Sequence, residues 1–324
     1  MIKNLKYILP AILLISACTK EINMEIKDNE KKLVVNGVFN VGEPVSVTVS
    51  KSKGMLEKSS IETIDNAEIK LYENGVFVTY LDTLQTIWSF NYNYNQIEEV
   101  DTVFRNTYYS KDFVVETGKS YSIEISAPGI DNKAQVDIKV PNLVPIIRID
   151  TLTMKTDEWS QYLQFDMLIS DPLNEENFYI ITLESIFSWT WYDEFGEMHT
   201  EVSKNIEYLE TDDVVLNNSN FDYESGLIFN DRLFDGRTQN IKFRKNYYTS
   251  GQHTNYLVIL QSISEDYYNY LVSSILYRSG EGNPIAEPVS VTSNVKNGFG
   301  IVTAVNQWID SSIVVTGPVN YPVE

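Results

Sequence analysis

Several common devices are scarce in this chain of 324 residues. It has one cysteine and two histidines. A single thiol excludes an internal disulfide, so the fold must hold by burial alone. The histidines, His199 and His253, have no cysteine or histidine at metal-ligand spacing. Nor does spacing position a serine and a carboxylate beside either one for a nucleophilic triad. No glycine-rich loop of the phosphate-cradling kind is present. Lysine and arginine number 25 against 45 acidic residues, for a net charge of -20. That surface repels phosphate backbones, so nucleic acid is not an expected partner. It also repels anionic headgroups, and acidity of this kind serves solubility. After residue 17 no apolar run approaches the ~20 residues that a membrane helix needs.

The first eighteen residues read MIKNLKYILPAILLISAC. Lys3 and Lys6 precede a short apolar stretch, Tyr7 to Ala17, and small residues lead into Cys18. This is the build of a signal peptide over 1–17. Leu14-Ile15-Ser16-Ala17-Cys18 resembles the bacterial lipobox, in which the cysteine is diacylated and becomes the new N-terminus. The alternative is an ordinary signal peptide with an incidental cysteine. Residues 18–30 then read as lipidated Cys18 and a polar tether. Lys20-Glu21 is similar to basic-then-acidic pairs that direct lipoproteins to the cell surface, or is simply a charged linker.

Beyond the tether, strand patterns follow one another with turns between them. Val45, Val47 and Val49 alternate with Ser46, Thr48 and Ser50. Ala67, Ile69 and Leu71 alternate in the same way and run into Asn74-Gly75, a hairpin signal because both turn residues need positive φ. Tyr121, Ile123 and Ile125 are followed by Pro128-Gly129 and a further alternating run to Val140. Pro141 and Pro145 bracket a short link. Leu163, Phe165, Met167 and Ile169 open a second series, which includes Phe178 to Tyr192 and Tyr256 to Ile263. One helix is expected from Glu265 to about Arg278, capped by Ser264, with Tyr268, Leu271 and Ile275 on one stripe. The fold class is therefore all-β with one helix. Two β-sandwich-like domains are expected, an immunoglobulin-like one over 31–142 and a larger β domain over 146–324.

Candidate chemistry is thin. Asn230, Asp231, Asp235 and Gly236 offer oxygen ligands for calcium, but the alternating-acid loop pattern is not met, and a turn accounts for them. Glu98, Glu99 and Asp101 offer carboxylates for glycoside hydrolysis without a positioned partner. No metal, cofactor or catalytic residue is expected. The aromatics carry more. Trp88, Phe90, Tyr92 and Tyr94 recur at every second position, so in a strand all four share one face. Such a face stacks on a partner or fills a core. Trp189 and Trp191 repeat the pattern, and there the core is the preferred reading.

Taken in order, a set of short stretches resembles the Bacteroidota lipoproteins grouped as "domain of unknown function 4249". They are Leu33-Val34-Val35-Asn36-Gly37, Asn66 to Gly75, Gly118-Lys119-Ser120-Tyr121, Ala127-Pro128-Gly129 and Phe229 to Gly236. Asp266-Tyr267-Tyr268, Asn283-Pro284, Ser293-Asn294-Val295 and Asn297-Gly298-Phe299-Gly300 complete the set. The resemblance implies an outer-membrane lipoprotein, on the periplasmic face or cell surface. It also implies a TonB-dependent transporter as a possible partner, and it carries no established reaction. The leading expectation is a non-enzymatic accessory or ligand-capturing subunit of such a transporter, with the ligand unknown. The alternatives are a hydrolase of envelope glycan or peptide, and a structural or adhesion lipoprotein.

Overall fold

A computed structural model describes residues 30–54, 61–91, 101–155, 161–216, 226–246, 253–280, 287 and 289–316, without the side chains of 87–91, 101–105, 155 and 189. Cys18 and the tether up to residue 29 lie outside the described residues. Residues 31–53 and 58–324 form one compact unit, and the other unit, 1–30 with 54–57, falls almost wholly outside the description. Among the described residues no helix is long and apolar enough to cross a membrane.

The fold is all-β and sandwich-like, with one helix. The strands of the front half are β1 (Leu33–Asn40), β2 (Pro44–Lys51), β3 (Glu68–Glu73), β4 (Val76–Tyr80), β5 (Thr83–Asn91), β6 (Asp101–Val114), β7 (Ser120–Ala127) and β8 (Ile130–Lys139). The back half holds β9 (Ile146–Lys155), β10 (Gln161–Ser170), β11 (Phe178–Tyr192), β12 (Met198–Ile206), β13 (Leu227–Asn230), β14 (Thr238–Asn246), β15 (His253–Ile263), helix α1 (Glu265–Gly280) and β16 (Gly298–Thr316).

Three sheets result. One has nine strands in the order β12-β11-β15-β16-β1-β2-β6-β5, with β13 also on β11. It draws strands from both halves of the chain. A four-stranded sheet, β4-β3-β7-β8, covers its front part, and a three-stranded sheet, β14-β10-β9, belongs to the back part. The chain passes from the four-stranded to the three-stranded sheet through residues 140–145.

Period-two alternation builds each core. In β2, Val45, Val47 and Val49 are buried while the intervening residues are not. They join Val35, Ile69, Leu71, Ile123 and Val136 in the front core. Phe165, Met167, Tyr179, Leu183, Phe243 and Tyr256 share the back core, where Phe165 and Phe243 stack at 5.1 Å. A third cluster lies on the opposite face of the long sheet. There Leu271 and Ile275 of α1 meet Phe178, Ile180, Ile263 and Val305. The helix begins as expected, with the Tyr267 amide donating to Ser264 Oγ across 3.2 Å.

The 19-residue strand β16 joins the halves. Its first part pairs in parallel with β1, from Leu33 opposite Gly298 to Asn40 opposite Val305. Its second part pairs antiparallel with β15 up to Thr316 opposite His253. Residues Ile301 to Asn306 are buried on both faces. Close packing explains Gly300 of the Asn297-Gly298-Phe299-Gly300 stretch. Its φ is +107°, and a Cβ there would sit 2.1 Å from the Val35 carbonyl oxygen.

Candidate functional site

The described aromatic residues proposed from sequence lie in two antiparallel strand pairs. Trp88 and Phe90 lie in β5, where they pair with Phe104 and Thr102 of β6. Their side chains, and all of Tyr92 and Tyr94, lie outside the described residues, as do Glu98 and Glu99. Asp101 is the first residue of β6.

The second hairpin is visible in full along its backbone. Strand β11 pairs with β15 only as far as Phe187 opposite Thr254. Among the described residues it continues with β12 alone to Tyr192 opposite Met198. Five residues past the last β15 pair correspond to about 15 Å of two-stranded ribbon. Core placement, the expectation for the Trp189 and Trp191 pair, fails for Trp191. It is 42% exposed, at a position past the last described pair with β15. Tyr192 is 69% exposed and Phe195, in the turn, 83%. Tyr192, Met198 and Val202 share one face by register and all three are exposed. Period two alone does not distinguish a core strand from a ribbon.

The ribbon tip is stiffened by one carboxylate. Asp193 Oδ1 accepts the amides of Phe195 (2.9 Å) and Glu197 (2.8 Å), and Oδ2 lies 3.0 Å from His199 Nε2. The His199 contact, with the backbone donors, holds the Asp193 carboxyl below its ordinary range. His199 also stacks on Trp191 at 4.5 Å, and Trp191 Nε1 donates to Glu201 Oε1 across 3.1 Å. Sequence spacing found no positioned partner for His199; the hairpin turn supplies one six residues earlier. His253 begins β15, opposite Thr316.

A second acidic group forms around the Phe229 to Gly236 stretch. Carboxylate oxygens of Asp171, Asp231 and Asp235 lie within 4.8 Å of one another. Asp171 and Asp231 are buried. Asp171 accepts Tyr179 Oη–H (2.5 Å) and the Gly236 amide (2.9 Å), and Asp231 accepts the Asn177 amide (2.8 Å). Burial raises both carboxyls, each opposed by its hydrogen-bond donors. Burial and the Asp171 carboxylate likewise raise the Tyr179 hydroxyl. Oxygen ligands of this kind suit a hard cation. The backbone donors show what they do here: they tie the turn after β13 to the ends of β10 and β11.

A concavity lies elsewhere. A cavity of about 560 Å³ opens between the four-stranded sheet, the start of α1 and β16. Four of the stretches that carry the family resemblance reach it, through Asn74-Gly75, Ser120-Tyr121, Asp266 and Asn294. A smaller one, about 360 Å³, lies beside Arg244. There Arg244 is engaged by Glu210 at 3.4 Å and by Asp212.

Comparison with solved structures returns the apo structure of Bacteroides uniformis beta-glucuronidase 3, at 10% identity and a TM-score of 0.20. The match covers 70% of this chain and 23% of that one, so the chain spans under a quarter of that protein's length. At that score the likeness carries no argument. No curated protein matches. A family model does match, over residues 19–308, which is most of the chain and includes every stretch that carried the resemblance. The chain belongs to the family described as Domain of unknown function (DUF4249).

Proposed function

We propose that this protein is an outer-membrane lipoprotein held by a lipid on Cys18. In this reading it acts without catalysis, as an accessory or ligand-capturing partner of a TonB-dependent transporter. The observation that carries the reading is the place and composition of the β11–β12 ribbon. The tethered chain enters the body at the start of β1, level with Gly298 at the start of β16. Strand β11 is antiparallel to β15, which is antiparallel to β16, so the ribbon leaves past the other end of β16. Nineteen residues of strand correspond to roughly 60 Å. The ribbon therefore lies past the end of β16 opposite to the one where the chain enters β1. Trp191, Tyr192, Phe195 and Met198 are exposed there. Burying one such side chain is worth roughly 1.5–3 kcal/mol, and apolar surface of this kind marks a docking site.

Affinity purification from native membranes tests the proposal. The comparison is the parent protein against Trp191→Ala with Phe195→Ser. An outer-membrane transporter should co-purify with the parent and be lost with the variant, while the melting temperature stays unchanged. Equal recovery from both would refute a ribbon-mediated partnership.

A further inference from the structure

The geometry points to a second binding site, independent of the ribbon: we infer that the 560 Å³ cavity at the start of α1 takes a small zwitterionic, peptide-like ligand. Its size falls within the ~300–1,000 Å³ range of small-molecule sites.

Two opposite charges line the cavity. Among the described residues, neither the Asp266 carboxylate nor the Lys139 ammonium makes a hydrogen bond or an ion pair. This sets the cavity apart from the depression beside Arg244, whose charges engage one another. Asp137, the other charged lining residue, is engaged by Lys296 at 2.7 Å. One free anion on α1 and one free cation on β8, lining the same space, complement a ligand that carries both an ammonium and a carboxylate. The hydroxyls of Ser120 and Ser122, on β7 beside Lys139, supply donors and acceptors for peptide groups.

The walls are also held in place, which a binding site requires. Asn74, at φ 48°, donates its own amide to the Ser120 carbonyl (2.8 Å) and accepts the Ser120 amide on Oδ1 (3.3 Å). Asn294 clamps Val302 in both directions, donating to its carbonyl (2.7 Å) and accepting its amide (3.1 Å). Ser264 and Thr303 hydroxyls meet at 2.9 Å and fix the helix start to β16. Three separate pairs thus lock the β3–β4 turn, the entry to β16 and the start of α1 around one space. Asn74, Ser120, Asp266 and Asn294 all belong to stretches that carry the family resemblance.

Calorimetry on the detergent-solubilised lipoprotein tests this with four probes: trialanine, N-acetyl-trialanine, trialanine amide and maltose. Trialanine should bind. Blocking either terminus should weaken binding roughly tenfold, the loss of one charge-assisted contact. Asp266→Asn should bind trialanine and its N-acetyl form equally, and Lys139→Met should bind trialanine and its amide equally. Both positions are exposed, so the variants keep the parent melting temperature. The inference is overturned by no heat with trialanine, by equal binding of blocked and free peptides to the parent, by variants that discriminate as the parent does, or by maltose binding in place of the peptide. None of these results bears on transporter co-purification through the ribbon.

Discussion

Asn306, buried in β16, donates its side-chain amide to the Thr117 hydroxyl across 2.8 Å. The same amide reaches the Pro141 carbonyl at 3.2 Å. One side chain of the last strand thus engages the turn before β7 and the link that leaves β8. Asn306→Ala should destabilise the protein by about 1–3 kcal/mol, because it leaves acceptors unpaired at a junction. Urea unfolding followed by far-ultraviolet dichroism should show one transition shifted as a whole. Two separate transitions, with only one of them moved, would show that the halves unfold independently.

Gly300 sets how closely β16 approaches β1. Its φ of +107° disfavours any side chain, and an added Cβ would meet Val35 and Asn36. Gly300→Ala should therefore destabilise by at least roughly 2 kcal/mol. An unchanged unfolding midpoint would contradict the close parallel pairing of the first and last strands.

That pairing marks the limit of what sequence patterns reveal. The valines of β2, the Asn74-Gly75 turn and the Ser264 cap are local, and each appears in the structure where alternation or turn chemistry places it. The parallel register of Leu33 with Gly298 spans most of the chain, and no local period encodes it. A single sheet shared by both halves is therefore not legible in local sequence patterns. The ribbon was half legible. Trp191 and its period were visible, but whether an opposing sheet covers that face depends on where β15 begins. The cavity was the least legible feature, since Asp266 and Lys139 come from different elements and neither belongs to a spaced motif.

Asp171 makes a pH test. Burial raises its carboxyl above the ordinary value of 3.8. A carboxyl raised in the folded state contributes stability that is full below the unfolded value and lost as pH rises through the folded one. Asp171→Asn removes that titration and replaces the carboxylate that accepts the Tyr179 hydroxyl and the Gly236 amide with a neutral amide, a loss of about 1–3 kcal/mol. The gap in stability between parent and variant should widen as pH falls from 7 towards 4. Paired unfolding curves at several pH values give the gap. A constant or narrowing gap would show that Asp171 does not titrate as described.

In the proposed function, anchoring rests on Cys18. Cys18→Ser should abolish incorporation of radiolabelled fatty acid and leave the protein unanchored or uncleaved. Equal label in variant and parent would remove the lipid from the proposed function.

The partner role is tested most directly at the ribbon tip. Phe195, 83% exposed, sits in the turn that Asp193 holds in shape. A photoreactive phenylalanine analogue at position 195, activated in living cells, should give one discrete adduct that contains a TonB-dependent outer-membrane transporter. The same analogue at exposed Asp131, in β8 of the four-stranded sheet, should not give it. No adduct at 195, or the same adduct from both positions, would contradict a ribbon that docks the protein to its transporter.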